Sequence, residues 1–456
     1  MHHTPAAPLG AAITDTFEFM LNGERVEVQG LPATTTLLEW LRKSGRTGTK
    51  CGCAEGDCGA CTVACVERDA AAQTTYRAIN SCIALLPMFA GREVVTVEGL
   101  ARVEVPGELH PVQSALVEHY GSQCGYCTPG FAVSMFEAYY RRPVKAPQQI
   151  NDQLCGNLCR CTGYRPIRDA MVSALAQRDL RGLNSDSFAA RLGQPAPSLS
   201  ELSYSAAGER FFRPTALTQV FALKNKYADA RLVAGATEIG VELNKKFKRF
   251  PALISIEAVP ELTRITASDD GWRIGAAVTL TVIEEALATE YPSIAKMLSV
   301  FASRQIRSRA TLGGNLVTAS PIGDSAPVLL TLDASVVLSS TLGDRVLPLH
   351  EFFTGYRQTQ LRPDEVMREI LLPRRRTEGA LTRRVDFQKA SHRRELDISV
   401  VAAAFCLDVD SAGIVRHARI AYGGVALMPL RARKAEAALL GRSLVETAKQ
   451  VAEILS

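Results

Sequence analysis

Long hydrophobic runs are missing. Nowhere do the 456 residues approach the ~20 consecutive apolar residues of a membrane helix, so no spanning segment is expected. The start, MHHTPAAPLGAAITDTFEF, lacks a basic stretch leading into an apolar one, which argues against a secretory signal and for a cytoplasmic chain. Aromatic residues make up 6% and the net charge is only +5, too little of either for a nucleic-acid surface. The basic clusters Arg141-Arg142 and Arg374-Arg375-Arg376 therefore read as solvated loop faces. No G-x-G-x-x-G opens a strand–helix unit, so a nicotinamide-binding Rossmann domain has no support. Cysteine is scarce after residue 161, where only Cys406 occurs, whereas eleven of the twelve lie before residue 162. A disulfide-stapled chain would have no reason to be so lopsided, and a cytoplasmic compartment disfavours disulfides, so the early cysteines point to metal ligation.

A chain of this length predicts several domains, roughly three or four. After a tail over 1–15, residues 16–98 read as a small α+β unit: FEFMLNG and ERVEV alternate around the hairpin signal Asn22-Gly23, and LLEWLRKSG is a helix ended by Gly45. Over 99–178 the period becomes helical, in PVQSALVEHY, PGFAVSMFEAYY and RPIRDAMVSALAQ. Residues 179–209, rich in Ser, Ala, Gly and Pro, read as a linker. An α/β region follows over 210–372, then a further α+β unit over 373–456. The fold class is thus α+β and multidomain.

The stretch CGCAEGDCGACTVAC holds five cysteines in fifteen residues. Cys53, Cys58 and Cys61 have the C-x4-C-x2-C spacing of a plant-type ferredoxin, for which Cys82 is the available fourth ligand. Gly52, Gly56 and Gly59 let the backbone turn its N–H groups toward sulfur, as an anionic cluster requires. Cys51 and Cys65 do not fit the spacing, and Cys65 falls in the strand-like TVACVE. Structural zinc usually pairs two C-x2-4-C knuckles, and the triple departs from that pattern. Cys124 and Cys127, with Cys159 and Cys161, form a second set of four. Each pair is followed by a Thr in an N-cap position, with Pro129 at the first helical position in one case, so the ligands sit where helix N-termini favour an anion. A C-x2-C plus C-x-C set could also hold zinc; its position after a ferredoxin-like unit favours iron–sulfur. Cys155 and Cys406 read as ordinary residues.

The strings TKCGCAEGDCGACTV, QCGYCTPGF and GNLCRCTGYRPI resemble the molybdenum hydroxylases of the xanthine oxidoreductase and aldehyde oxidase group. The resemblance implies a β-grasp 2Fe-2S domain with Cys53, Cys58, Cys61 and Cys82 as ligands. It implies next a four-helix 2Fe-2S domain with Cys124, Cys127, Cys159 and Cys161, in which Gln123, Cys127 and Cys161 lie near a molybdopterin held by a partner. RLVAGATEIG and TLGGN are weak signals alone, but they resemble two backbone loops round the FAD pyrophosphate in a vanillyl-alcohol-oxidase-like domain. The implied flavin contacts are Leu232, Val233, Ala234, Gly235, Ala236, Thr237, Glu238, Ile239, Phe301, Thr311, Gly314, Asn315, Asp324, Met367 and Lys389. Phe301 would pack by the isoalloxazine; read without the family it is a core aromatic on a helix. AYGGVALMPLRARKAEAALLG resembles the domain that follows the flavin domain. The implied function is electron transfer from the partner's molybdenum cofactor through two 2Fe-2S clusters to FAD and then NAD⁺, in an (αβ)₂ heterotetramer with a molybdopterin-binding large subunit. Hydroxylation of xanthine is the implied reaction, with aldehydes or other N-heterocycles as alternatives and a zinc-stabilised scaffold as the alternative of another class.

Overall fold

The computed structural model describes residues 10–69, 71–101, 108–141, 144, 146–183, 186–196, 198–374, 379 and 381–455. The expected tail lies outside the described residues up to residue 9, as do Arg142, Arg375 and Arg376 of the basic clusters. Two compact units emerge: residues 1–259 with 303–310, and residues 260–302 with 311–456. Among the described residues no helix is long and apolar enough to cross a membrane.

The first unit begins with strands β1 (Thr16–Leu21) and β2 (Glu24–Gln29) and helix α1 (Leu37–Lys43). Strands β3 (Thr62–Arg68), β4 (Thr74–Asn80) and β5 (Glu93–Val95) complete a mixed sheet of order β2-β1-β5-β3-β4, the expected β-grasp. The β1–β2 turn takes φ 53° at Asn22 and 83° at Gly23, the left-handed pair that a two-residue hairpin needs. Alternation in TFEFML sends Phe17, Phe19 and Leu21 inward, where Phe19 meets Trp40 of α1 edge-on.

Four helices follow: α2 (Pro111–Glu118), α3 (Thr128–Tyr140), α4 (Pro147–Leu154) and α5 (Arg165–Arg181). Helix α3 is buried on nearly every side because it lies between its sister helices and strands β3 and β4. Described residues of the stretch read as a linker form regular elements. Helix α5 runs into it, α6 (Ser187–Arg191) is capped by the Asp186 carboxylate, and β6 (Leu202–Ala206) ends it. Elements this short show no period in sequence, yet Phe188 is fixed edge-on against Tyr76 and Phe136. Strand β7 (Glu209–Arg213), helix α7 (Leu217–Lys226), strand β8 (Arg231–Val233), helix α8 (Thr237–Lys246) and strand β9 (Ala252–Ser255) then build a second sheet of order β6-β7-β9-β8, partly parallel. Residues 303–310 lie in this unit as a buried polar strap.

The second unit holds an antiparallel sheet of Ile265–Ala267, Gly271–Gly275, Val366–Pro373, Ser335–Ser340 and Gly343–Pro348. A four-stranded antiparallel sheet follows, made of Thr382–Ala390, Val401–Val409, Val415–Gly423 and Leu430–Arg431, with helices Arg433–Leu439 and Leu444–Leu455. The α+β class is as expected. Of the region expected over 210–372, strands β8 and β9 and residues 303–310 fall in the first compact unit.

Candidate functional site

Among the described residues no three His, Cys, Asp or Glu side chains gather round one point, as a mononuclear ion would need. The eight candidate cysteines stand in twos: Cys53 with Cys58, Cys61 with Cys82, Cys124 with Cys161, and Cys127 with Cys159. Two pairs side by side suit a cluster of two irons, each taking two thiolates, better than a single tetrahedral zinc.

The first set is held by backbone. Cys53 N–H donates to the Cys58 sulfur and Cys58 N–H to the Cys53 sulfur, both at 3.3 Å, and Glu55 N–H reaches Cys53 at 3.5 Å. A Cβ on Gly52 would sit 2.7 Å from the Cys58 sulfur, so the loop closes on its ligand only with glycine there. The Cys58 contact draws the Cys53 thiol down to about 5 while Cys58 is pushed up, and Cys61 and Cys82 divide in the same way. Cys65 differs: fully buried in the sheet core, its thiol is pushed up by desolvation. Cys51 is exposed, and its carbonyl accepts from the Tyr126 hydroxyl. Cys51→Ser should keep the full iron and acid-labile sulfide content of the wild-type chain, as measured by colorimetric analysis.

The second set is more open. Cys124 and Cys161 are exposed, and Tyr120, Tyr126, Leu158 and Tyr164 are exposed apolar side chains in the same module. The N-cap of α3 is Cys127 itself, and Thr128 is already helical, its hydroxyl donating to Ser122 at 2.8 Å. Thr162 is no cap either, because the N-cap of α5 is Tyr164 at φ 66°. Its hydroxyl lies 3.1 Å from the Cys159 sulfur and its N–H 3.4 Å away. Burial opposes the Cys159 thiolate, but those Thr162 contacts prevail and hold it low. Burial, then the contact with Cys159, pushes Cys127 up to about 12. The cysteines therefore lie close to helix starts, with Thr162 serving sulfur and Thr128 bonding Ser122 in place of capping a helix.

The two sets share a seam. Leu158, beside Cys159, donates its N–H to the carbonyl of Cys58 at 3.0 Å. Asn157 donates to the Gly59 carbonyl at 3.0 Å, and Ser134 and Gln305 donate to its side-chain oxygen at 2.6 and 2.8 Å. A Cβ on Gly59 would lie 2.1 Å from the Gly156 carbonyl, and one on Gly130 2.2 Å from the Gly59 carbonyl, so glycine permits this approach. The strap closes it: Arg304 pairs with Glu137 at 3.1 Å, Arg307 with Asp152 at 2.6 Å, and Arg309 with Glu257 at 3.1 Å. Asn157, Glu137 and the strap were not legible in sequence. SRQIRSR looks like a solvated basic run, yet Arg304 and Arg307 are 0% exposed.

Of the candidate flavin residues, Leu232 to Ile239 lie in the first unit. Val233, Ala236 and Ile239 have their side chains in the core, which leaves the backbone to face a ligand. Gly235 packs directly on the backbone of residues 309–310, since a Cβ would fall 1.7 Å from the Arg309 carbonyl, and Ala236 takes φ 64°. Helix α8 then starts with no side-chain cap, which suits a pyrophosphate at its first turn. The others lie in the second unit. There TLGGN is not a loop: Thr311 caps the helix Leu312–Thr318 by accepting from Gly314 N–H at 3.2 Å, and Gly313 lets that helix close on the Ala276 backbone. Asn315 accepts from Ser325 at 2.5 Å. Lys389 is buried, donating to Asp324 at 2.9 Å and to the carbonyl of Val300 at 3.1 Å, next to Phe301. Phe301 is partly buried and follows its helix, Pro292–Leu298, rather than lying on it. Met367 is buried in the sheet opposite Leu338.

Residues 19–86 match the 2Fe-2S iron-sulfur cluster binding domain family and residues 96–172 a second 2Fe-2S binding domain family. Residues 204–375 match the FAD binding domain in molybdopterin dehydrogenase, and 387–456 the CO dehydrogenase flavoprotein C-terminal domain. The chain is 33% identical to a xanthine dehydrogenase of Emericella nidulans, over 95% of this chain and 36% of that protein. It is 34% identical to xanthine dehydrogenase 1 of Arabidopsis thaliana, over 95% of this chain and 37% of that one. It thus spans little more than a third of the length of these relatives. A solved carbon monoxide dehydrogenase from Hydrogenophaga pseudoflava, lacking the Mo-pyranopterin moiety of its cofactor, is 30% identical at a TM-score of 0.50, over 53% of this chain and 83% of that one.

Proposed function

Because this chain belongs to the molybdenum hydroxylase family as its iron–sulfur and FAD component, we propose that it is the electron-transfer subunit of a xanthine dehydrogenase. In this reading it relays electrons from a molybdenum cofactor on a partner subunit, through two 2Fe-2S clusters, to FAD and NAD⁺. Two 2Fe-2S clusters pass single electrons and a flavin exchanges them for a hydride equivalent, which is the chemistry the bound groups supply.

The observation that carries the reading is the seam: two sets of paired thiols whose ligand backbones meet through the Leu158 N–H and the Cys58 carbonyl at 3.0 Å. Cys53, Cys58, Cys61 and Cys82 hold the first cluster, and Cys124, Cys127, Cys159 and Cys161 the second. The exposed Cys124 and Cys161 edge favours a partner that covers it and holds the molybdopterin, in an (αβ)₂ assembly. The backbone of Leu232, Val233, Ala234, Gly235, Ala236, Thr237, Glu238 and Ile239 binds FAD through its pyrophosphate. Phe301, Thr311, Gly314, Asn315, Asp324, Met367 and Lys389 are the further flavin contacts proposed from the family resemblance.

The test is co-purification with the native partner, analysis of iron, sulfide, flavin and pterin, and an assay of xanthine-dependent NAD⁺ reduction. Turnover of another heterocycle or an aldehyde, with none of xanthine, selects a related hydroxylase. A colourless protein holding zinc in place of iron and sulfide sinks both and leaves a scaffold.

A further inference from the structure

Helix α8 carries the last of the candidate pyrophosphate residues, Thr237, Glu238 and Ile239, on its first turn, and its later turns rest on the ferredoxin-like module. Gly240, Val241 and Asn244 share one face of the helix, at positions i, i+1 and i+4. A Cβ on Gly240 would lie 2.5 Å from the Ile83 carbonyl, so the helix meets the backbone of the Cys82 turn without an intervening side chain. Val241 packs on the small cluster of Leu38, Cys61, Cys82 and Ile83. Asn244 then uses both hydrogens of one amide nitrogen: it donates to the carbonyl of Ala54 at 2.9 Å and to that of Cys82 at 2.8 Å.

Those two carbonyls belong to different halves of the ligand set. Ala54 follows Cys53 and is held at φ 58°, a left-handed conformation that alanine avoids without outside support. Cys82 is the remote ligand, twenty-one residues beyond Cys61. Cys53 pairs with Cys58 and Cys82 with Cys61, so a single side chain spans the two thiol pairs. No spacing rule for iron–sulfur ligands points to an asparagine nearly 200 residues downstream. The exposed ion pair of Lys245 with Glu55, at 3.4 Å, lies beside this clamp and adds little.

We propose that Asn244 is a positioning residue of the first cluster. It holds the loop after Cys53 and the turn at Cys82 at a fixed separation, and so ties the cluster's shape to the helix whose N-terminus receives the flavin pyrophosphate. This rests on the reading of Cys53, Cys58, Cys61 and Cys82 as cluster ligands. Helix α8 has ten residues and is about 15 Å long, so one rigid element serves both groups.

The test replaces Asn244 in the full chain by Leu, which keeps the volume without donors, and by Asp, which keeps the shape and turns a carboxylate to the carbonyls. Electron paramagnetic resonance of the dithionite-reduced chain reads the two clusters separately, and loss of iron to bathophenanthroline disulfonate reads their lability. Removal of two part-buried hydrogen bonds should speed loss of the first cluster about tenfold. The g values of the first cluster should shift in both variants while the signal of the second stays that of wild type. First-cluster signal and lability equal to wild type in both variants would overturn the proposal. So would loss of both signals together in both, which would make Asn244 a general packing residue. A wild-type chain without two iron–sulfur signals would instead remove the underlying cluster reading.

Discussion

Cys58→Ser should halve the iron and acid-labile sulfide of the chain, remove one of its two reduced-cluster resonances, leave flavin bound, and stop electron flow to that flavin. Cys58 is engaged from several directions. Its sulfur accepts from Cys53 N–H at 3.3 Å, and its own N–H returns the bond to Cys53. Its carbonyl takes the N–H of Leu158 at 3.0 Å, and the loop beside it closes only because Gly52 has no Cβ. The thiolate is the metal ligand, and a serine hydroxyl does not ionise near neutral pH, so the site loses a ligand without losing its shape. The seam to the helical module, made by backbone, should survive, which is why half of the iron remains. Normal two-cluster iron content in this variant would contradict the ligand assignment. Cys159→Ser should show the mirror result, with the other resonance lost.

Glu137→Gln should cost about 3–5 kcal/mol and lower the Tm of the first unit by roughly 10 °C. The Glu137 carboxylate is 0% exposed on α3 and joins three other elements: Ala78 N–H of β4 at 3.2 Å, Gln153 of α4 at 3.0 Å and Arg304 of the strap at 3.1 Å. Burial would raise its pKa, but Arg304, with Arg141 and Arg77, holds it below the ordinary carboxylate value. The neutral amide takes the Glu137 counter-charge away from the buried Arg304 guanidinium, which is the costly way to break a buried pair. The sign of the pH dependence follows. A depressed carboxylate contributes fully above the unfolded value of about 4.3, and the contribution is lost as pH falls through the lower folded value. Differential scanning calorimetry across that range should show the dependence reduced in Glu137→Gln. Equal stability of variant and wild type at pH 7 would mean that the pair is not integral to the unit.

Much of the local structure was legible because it rests on local rules. Asn22-Gly23 takes the turn its residues favour, TFEFML alternates into the core, and the three long helical periods become α2, α3 and α5. The misreadings have local causes as well. Thr128 and Thr162 are good capping residues, but sulfur competes for the second, and the first is already inside its helix. TLGGN has the composition of a loop, yet Thr311 caps it into a helix, and contact with Ala276 makes glycine necessary there. The stretch from 179 to 209 has too few apolar residues to show a period, but one of them, Phe188, anchors it in an aromatic cluster.

By itself the sequence determined which cysteines stand together, because ligand spacing along a turning loop is a short-range constraint that fifteen residues can satisfy. It also determined the order of the modules, since each carries its own period and motif. Only the tertiary structure decided how the thiol pairs are held and joined. Glu137, Asn157, Asn244 and the arginines of residues 304–309 are polar side chains of a kind usually solvated. Each is useful only where an element distant in sequence brings a carbonyl, a carboxylate or a glycine within 3.3 Å of it. Burial makes those meetings obligatory, because an unpartnered charge or amide in the dry interior is costly, and no local pattern records which distant partner will arrive.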